Sequence, residues 1–528
     1  MEKVYPINIA GIKNMGVEEW LENYYVPVAG KEFKNIYDKV LKTYLDIIKQ
    51  NGNEIVCRIA TSNIIIPYYV SLYILDLLKF IRLREKGYEY IIGQKKEDIP
   101  DNTSMVHYSY SENKSQIIKD LARLTFQKRA KNVLRTIKYN IKPLSLHGVG
   151  FIRNISNPYY FVGNRGLQEV VSFCDEKNIT PVCLSPMLFA KNNNNNHYGS
   201  NFKASGLVEF VNDYLGVVRK QYTIINDLVF ECLKKEINEI LRLSYSFFYQ
   251  NVEVFRKFKP KKLLVTGLGN PIHRIFCSAW RYAGGEVIGI SHGNTYSHHY
   301  NDTIFMELST VDLFVSSSRG DKEIIRQAVN DFSLELATCK ITYGKNNLYI
   351  PLFRKLQSAP PVNKIKKIMV VGHVVGRWFP IDAEYHTFAR LYHQLELVKL
   401  LKGNGYYVIY KPRPNTLTEV EGIFETYASE VLTDSFEDVY HHADCLLFST
   451  PYSTTFGFSL LTNKPIVLIN MEGYQWHPRV FELIKKRCSV VEAEAVDGKI
   501  IFNEQDVLDA VQESINNINY DILYEFAF

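Results

Sequence analysis

The chain predicts an α/β protein in which two largely parallel sheets are each wound by helices. Three observations carry that prediction. The second half repeats one grammar: a short β-branched run, a polar or glycine turn, then a helical pattern. The repeat is interrupted once, at Asn346–Lys366, by a polar stretch holding a Pro-Pro pair. At 528 residues the chain exceeds what one hydrophobic core supports, so two or three domains are expected.

Taken in order, strands are expected at 262–267, 286–290, 311–316 and 340–344 before the break. After it they are expected at 367–372, 406–411, 445–449 and 465–469. Helices such as "PIHRIFCSAWRYAG" and "RGDKEIIRQAVN" lie between them. Near-continuous apolar strands alternating with helices of this length belong to sheets covered on both faces. The first half is less regular. Strands are expected at 54–60, 159–164 and 180–185, with a packed helix pair over 206–258. Residues 1 to about 50 read as an accessory helical layer, and the asparagine-rich run at 191–200 as a loop. The divisions are therefore 1–345, a linker at 346–366, and 367–528, whose last helix could cross back to the first part.

Composition excludes several classes. Net charge is +6, spread over both halves, too weak for a dedicated nucleic-acid face. The eight cysteines are scattered without a CxxC pair and read as small buried hydrophobes of a reducing compartment. No secretory signal is expected from the N-terminus, and the most apolar stretch, 59–83, contains Pro67, Asp76 and Lys79. It reads as a buried strand followed by an amphipathic helix. A cytoplasmic protein is expected, peripheral at most to the inner face of a membrane.

Three motifs sit where such a fold binds ligands, at the carboxyl ends of strands. "SHGN" follows the strand at 286–290, and its glycine would turn His292 toward a cleft as base or phosphate donor. Asn294, His298 and His299 follow and read as an acceptor-side loop, because the spacing matches neither HxH nor HExxH. "YKPRPN" ends another strand, with prolines stiffening Lys411 and Arg413 into an anion site. "FSTPYSTTFGFSLL" places Ser449, Thr450, Ser453 and Thr454 between a strand end and a helix start, a phosphate cradle. Glu169 and Asp175, near a first-domain strand, are further candidates for a base. P-loop and dinucleotide fingerprints are absent, as is any D-x-D triplet, so cations rather than a metal are expected to meet a phosphate.

The run from "YKPRPN" through "FSTPYSTTFGFSLLTNKPIVLIN", with "NPIHRIFCSAWRYAGGEVIGISHGN" upstream, resembles GT-B glycosyltransferases of bacterial surface polysaccharides. It is similar to the CMP-ulosonic-acid transferases, with Kdo, sialic or pseudaminic acid donors, and also resembles the CDP-glycerol and CDP-ribitol polymer transferases. The likeness spans roughly residues 262–470. It implies two Rossmann-like domains facing across a cleft, with extra helices in the acceptor-side N-terminal domain and the nucleotide sugar on the C-terminal one. It implies that Ser453 and Thr454 bind the donor phosphate, and it places His292 on the family's His-Gly position. Where many relatives carry His-Pro, this chain has Arg413-Pro414, which preserves phosphate binding but not an acid role. No aspartate stands in "VTGLGNP", where a retaining Kdo transferase would carry its nucleophile. The resemblance implies a nucleotide-sugar donor, a glycan or lipid-linked acceptor and no cofactor or metal. A CDP-glycerol or CDP-ribitol polyol-phosphate transferase of the teichoic-acid type, a UDP- or GDP-sugar transferase, and a non-catalytic carbohydrate- or nucleotide-binding protein are the rival readings.

Overall fold

The computed structural model describes residues 3–6, 9–28, 30–92, 95–97, 159–163, 168–179, 181–184, 202, 205–258, 261–291, 300, 304–332, 338–344, 349–372, 387–413, 417–471, 474–496 and 499–528. Its strands are β1 (Lys3–Pro6), β2 (Tyr88–Ile92), β3 (Lys95–Glu97), β4 (Tyr159–Val162), β5 (Val182–Cys183), β6 (Lys262–Val265), β7 (Glu286–Ile290), β8 (Leu313–Ser316) and β9 (Lys340–Tyr343). Then come β10 (Lys367–Val371), β11 (Tyr407–Lys411), β12 (Glu430–Val431), β13 (Cys445–Phe448), β14 (Ile466–Met471), β15 (Ser489–Val496) and β16 (Lys499–Phe502). The helices of the first half are α1 (Ile9–Met15), α2 (Val17–Glu22), α3 (Gly30–Gln50), α4 (Glu54–Ser62), α5 (Ile66–Glu85), α6 (Gln168–Lys177), α7 (Leu207–Gln221) and α8 (Asp227–Phe258). Those that follow are α9 (Pro271–Tyr282), α10 (Phe305–Leu308), α11 (Arg319–Asp331), α12 (Tyr349–Leu356), α13 (Thr387–Gly403), α14 (Leu417–Val420), α15 (Phe436–Val439), α16 (Thr454–Leu460), α17 (Pro478–Arg487) and α18 (Glu504–Glu513).

Two large sheets dominate. The first runs β5-β4-β6-β7-β8-β9 and the second β12-β11-β10-β13-β14-β15-β16. Every pairing in both is parallel except β15–β16. In each, the strand order reverses once, between β4 and β6 in the first sheet and between β10 and β13 in the second. A reversal opens a crevice at the carboxyl ends of its two strands.

The residues explain the double winding. On β10, Ile368 and Val370 point into one core and Met369 into the opposite one. Both faces of the strand are therefore buried, which is why it reads as an unbroken apolar run. The first sheet has α3, α4, α5, α7, α8 and α9 over one face and α6 on the other. All eight strands expected in the second half are present, each within a few residues of its expected bounds.

The structure departs from the sequence reading in two places. Residues 54–60 form helix α4 rather than a strand. Asn53 caps it, accepting from the N–H groups of Ile55 and Val56, and Val56, Ile59 and Ala60 bury on a helical period. The β-branched side chains lost to the cap and to tertiary packing. The linker holds α12, whose Tyr349 and Leu356 seat in the core of the second sheet. Residues 5–26 also pack there, Trp20 lying edge-on to Phe388 and Tyr392.

The chain's end returns toward the first sheet: in the C-terminal turn, Leu523–Ala527, the Phe526 carbonyl accepts from Ser318 Oγ at the start of α11. Among the described residues no single helix is long and apolar enough to cross a membrane. The bent pair α4 and α5, meeting at 59°, passes only by length and composition. Ile66, Val70, Ile74 and Leu83 of α5 are buried in the protein's own core.

Candidate functional site

The C-terminal sheet builds its site at the β10–β13 reversal. Val371 pairs with Lys411 on one side and with Phe448 on the other. Lys411 and Phe448 therefore flank β10 about 10 Å apart, two strand spacings. Gly372 follows β10 and donates its N–H to the Lys411 carbonyl at 2.9 Å. A Cβ on Gly372 would lie 2.7 Å from Tyr410 Oη, so only glycine fits under that ring.

Four of the sequence-predicted residues meet at this edge. Lys411 is buried and donates from Nζ to the Pro412 carbonyl at 2.8 Å. Burial lowers its pKa, opposed by the nearby carboxylates of Glu437 and Asp434. Arg413, half-buried two residues on, is also lowered by burial. Ser449 is 1% exposed and its Oγ has no hydrogen-bond partner among the described residues. Thr450 is buried, and its Oγ1 accepts from the Tyr452 N–H at 3.2 Å.

Ser453 and Thr454 follow at the start of α16. Ser453 Oγ caps the helix, accepting from the Phe456 N–H at 3.0 Å, which leaves its hydroxyl proton to donate. Thr454 is exposed. Since α16 is seven residues long, its dipole is a minor contribution beside the cations.

Sequence reasoning missed the support of this loop. Tyr474 donates to the Ser449 carbonyl at 3.0 Å and packs edge-on to Tyr452 at 4.9 Å between ring centres. Tyr452 Oη accepts from the Gln475 N–H at 2.9 Å. A tyrosine pair thus ties the segment after β13 to the one after β14. No local signal joins residues 22 apart, although Tyr452 interrupting a hydroxyl run was visible. Gly372, which follows an apolar strand directly, was visible as well.

The first sheet offers a second polar recess. Glu169 stands in the first turn of α6 and accepts from Tyr349 Oη at 2.8 Å. Both line a small cavity of about 30 Å³ with Ser172, Ser291, Ser316 and Ser317, at the carboxyl ends of β7 and β8. That is room for about one water molecule. Asp175 lies six residues further along α6, exposed, and does not line this cavity. The structure therefore separates the two carboxylates that the sequence offered together. His292, Asn294, His298 and His299 lie outside the described residues, the last described position before them being Ser291.

Among the described residues there is no group of three or more His, Cys, Asp or Glu that could hold a metal ion. The eight cysteines are free. A comparison with protein-family models returns no match, and a comparison with curated proteins returns none either.

Proposed function

We propose that the chain is a metal-independent GT-B glycosyltransferase, moving an ulosonic acid of the Kdo, sialic or pseudaminic type from a CMP donor to a glycan hydroxyl. The observation that carries the reading is the β10–β13 crevice. There Ser449 Oγ, buried and without a hydrogen-bond partner among the described residues, follows β13 on one side of β10, and Lys411 ends β11 on the other, at the edge where a doubly wound sheet takes its ligand. A buried polar atom left unsatisfied costs free energy unless a ligand supplies the missing bond.

In this reading Lys411 and Arg413 neutralise the donor phosphate, and Ser449 and Ser453 donate hydroxyl protons to its oxygens. The bond between the sugar's anomeric carbon and the phosphate oxygen breaks, and CMP leaves with the electron pair. Charge placed on the leaving phosphate is met by cations already fixed in a partly dry site, which favours the transition state over the ground state. The acceptor oxygen forms the new bond, and its proton passes to Glu169, whose carboxylate Tyr349 orients. His292 remains a candidate for contact with the phosphate.

The reading is tested by melting the protein with CMP-Kdo, CMP-sialic acid, CDP-glycerol, UDP-glucose and GDP-mannose in parallel. A true ligand at a hundred times its Kd stabilises by about 2.7 kcal/mol. A shift with CMP-sugars alone supports the proposal. A shift with CDP-glycerol alone turns it into a polyol-phosphate transferase, and a shift only with UDP- or GDP-sugars removes the cytidine assignment.

A further inference from the structure

A cavity among the described residues runs along α3. Its volume, about 360 Å³, falls in the range of small-molecule sites. The stripe from Lys34 to Lys49 lines it at helical spacing, a run of about 22 Å. The floor is apolar, made by Tyr37, Leu41, Leu45, Ile64, Phe305 and Phe332. Leu41, Leu45 and Phe332 are only half-buried, so hydrocarbon surface stays open to water in the trough. The rim is charged: Lys34, Lys42 and Lys49 stand against Asp38 and Asp46, and Lys34 already pairs with Asp38. One wall is Gln475, whose backbone binds Tyr452 and so reaches the loop after β13.

We infer that this trough binds a single-chain anionic lipid, its hydrocarbon chain along Leu41 and Leu45 and its head against the lysine rim. The length and the apolar floor suit an unbranched chain, whose methylenes would replace water along the helix. The rim's excess of lysine over aspartate selects an anionic head over a cationic one. The exposed Lys42 stands on the rim midway along the trough, between the turns that carry Leu41 and Leu45, a cation beside an apolar floor. The inference does not depend on the nucleotide chemistry of the β10–β13 crevice.

The test is calorimetric titration of the intact chain, without nucleotide, using octyl, decyl and dodecyl phosphate below their micelle concentrations. Affinity should rise with chain length, by up to about fourfold for each added methylene. Dodecyltrimethylammonium should bind at least tenfold more weakly than dodecyl phosphate. Leu45→Arg should abolish the chain-length dependence, and Lys42→Glu, an exposed change, should weaken dodecyl phosphate several-fold. Equal affinity across the three chain lengths would overturn the inference, as would equal binding of the cationic amphiphile. So would a folded Leu45→Arg protein that binds like the parent, and if that variant melts early the series on the parent and on Lys42→Glu still decides. Because no nucleotide enters, this result and the donor melts fail independently.

Discussion

The two sheets reverse their strand order in the same way but finish the reversal differently. In the first, Gly163 follows β4 and Thr266 follows β6, and Thr266 donates its N–H to the Val162 carbonyl at 3.1 Å. A Cβ on Gly163 would sit 2.2 Å from Thr266 Oγ1, so that crevice is closed by backbone and threonine. In the second, the equivalent positions are Gly372 and Ser449; Lys411 is buried on the neighbouring strand, and Ser449 Oγ has no hydrogen-bond partner among the described residues. The first sheet instead gathers its polar groups to one side, beyond β7 and β8, around Glu169. Topology alone therefore does not make a binding site. It supplies an edge, and the residues after each strand decide whether that edge is sealed or open.

The largest expected effect tests the first sheet's role. Glu169→Gln keeps an acceptor for Tyr349 Oη, so the fold should hold, while a lost base should lower kcat about 100-fold or more. The same variant should leave CMP affinity unchanged, and a matching loss of CMP binding would erase the proposed division of labour. Next is Gly163→Ala, which combines a backbone φ of 129° with the clash at Thr266. Urea unfolding should show a loss of about 3 kcal/mol. A variant as stable as the parent would mean that the first crevice is open too.

Acid adds a third contrast, centred on the second sheet. His393, on α13, is fully buried edge-on to Phe502, with neither ring nitrogen hydrogen-bonded among the described residues. Burial holds its pKa down to about 3. Below the ordinary value of about 6.5 the unfolded chain takes a proton that the native one refuses. The stability present above that pH is lost as pH falls toward 3, about 2 kcal/mol of it by pH 5. Denaturant midpoints measured from pH 7 to 5 should fall for the parent and flatten for His393→Leu; parallel curves would assign acid sensitivity elsewhere. Lys411→Met comes next, with CMP binding about tenfold weaker and a nearly unchanged melt, since the ammonium's hydrogen bond is to its neighbour's carbonyl. Unchanged CMP affinity would place the phosphate away from β11.

What the sequence disclosed follows from these physical differences. Central parallel strands announce themselves because both faces are buried, so β6 to β8, β10, β11, β13 and β14 were legible, whereas the edge strand β9 was legible only from its β-branched run. Helix α4 was not, because Val56 and Ile59 suit a strand as well as a helix and the deciding contact is the Asn53 cap. The β15–β16 hairpin carries a readable sign: Val496 pairs with Lys499, and the two residues between are Asp-Gly, a strong hairpin signal. In the site, Lys411 and the hydroxyls after β13 were legible because strand ends and turn residues are local. The bonds Tyr474–Ser449 and Tyr349–Glu169 span 25 and 180 residues, and only the assembled fold supplies them.

The smallest effect separates the two crevices most cleanly. Removing a hydroxyl usually costs its hydrogen bond, about 1 kcal/mol. Ser449 Oγ has no such bond among the described residues, so Ser449→Ala should leave the ligand-free protein within about 0.5 kcal/mol of the parent, or slightly more stable. Thr266 Oγ1 is the contrasting hydroxyl, fixed against Gly163 in the closed crevice, and Thr266→Ala should lose packing there. If Ser449 faces a phosphate, CMP binding by Ser449→Ala should weaken several-fold, while Thr266→Ala should not alter it. A Ser449→Ala protein that is clearly destabilised without ligand would mean the hydroxyl has a structural partner. The second crevice would then be sealed like the first.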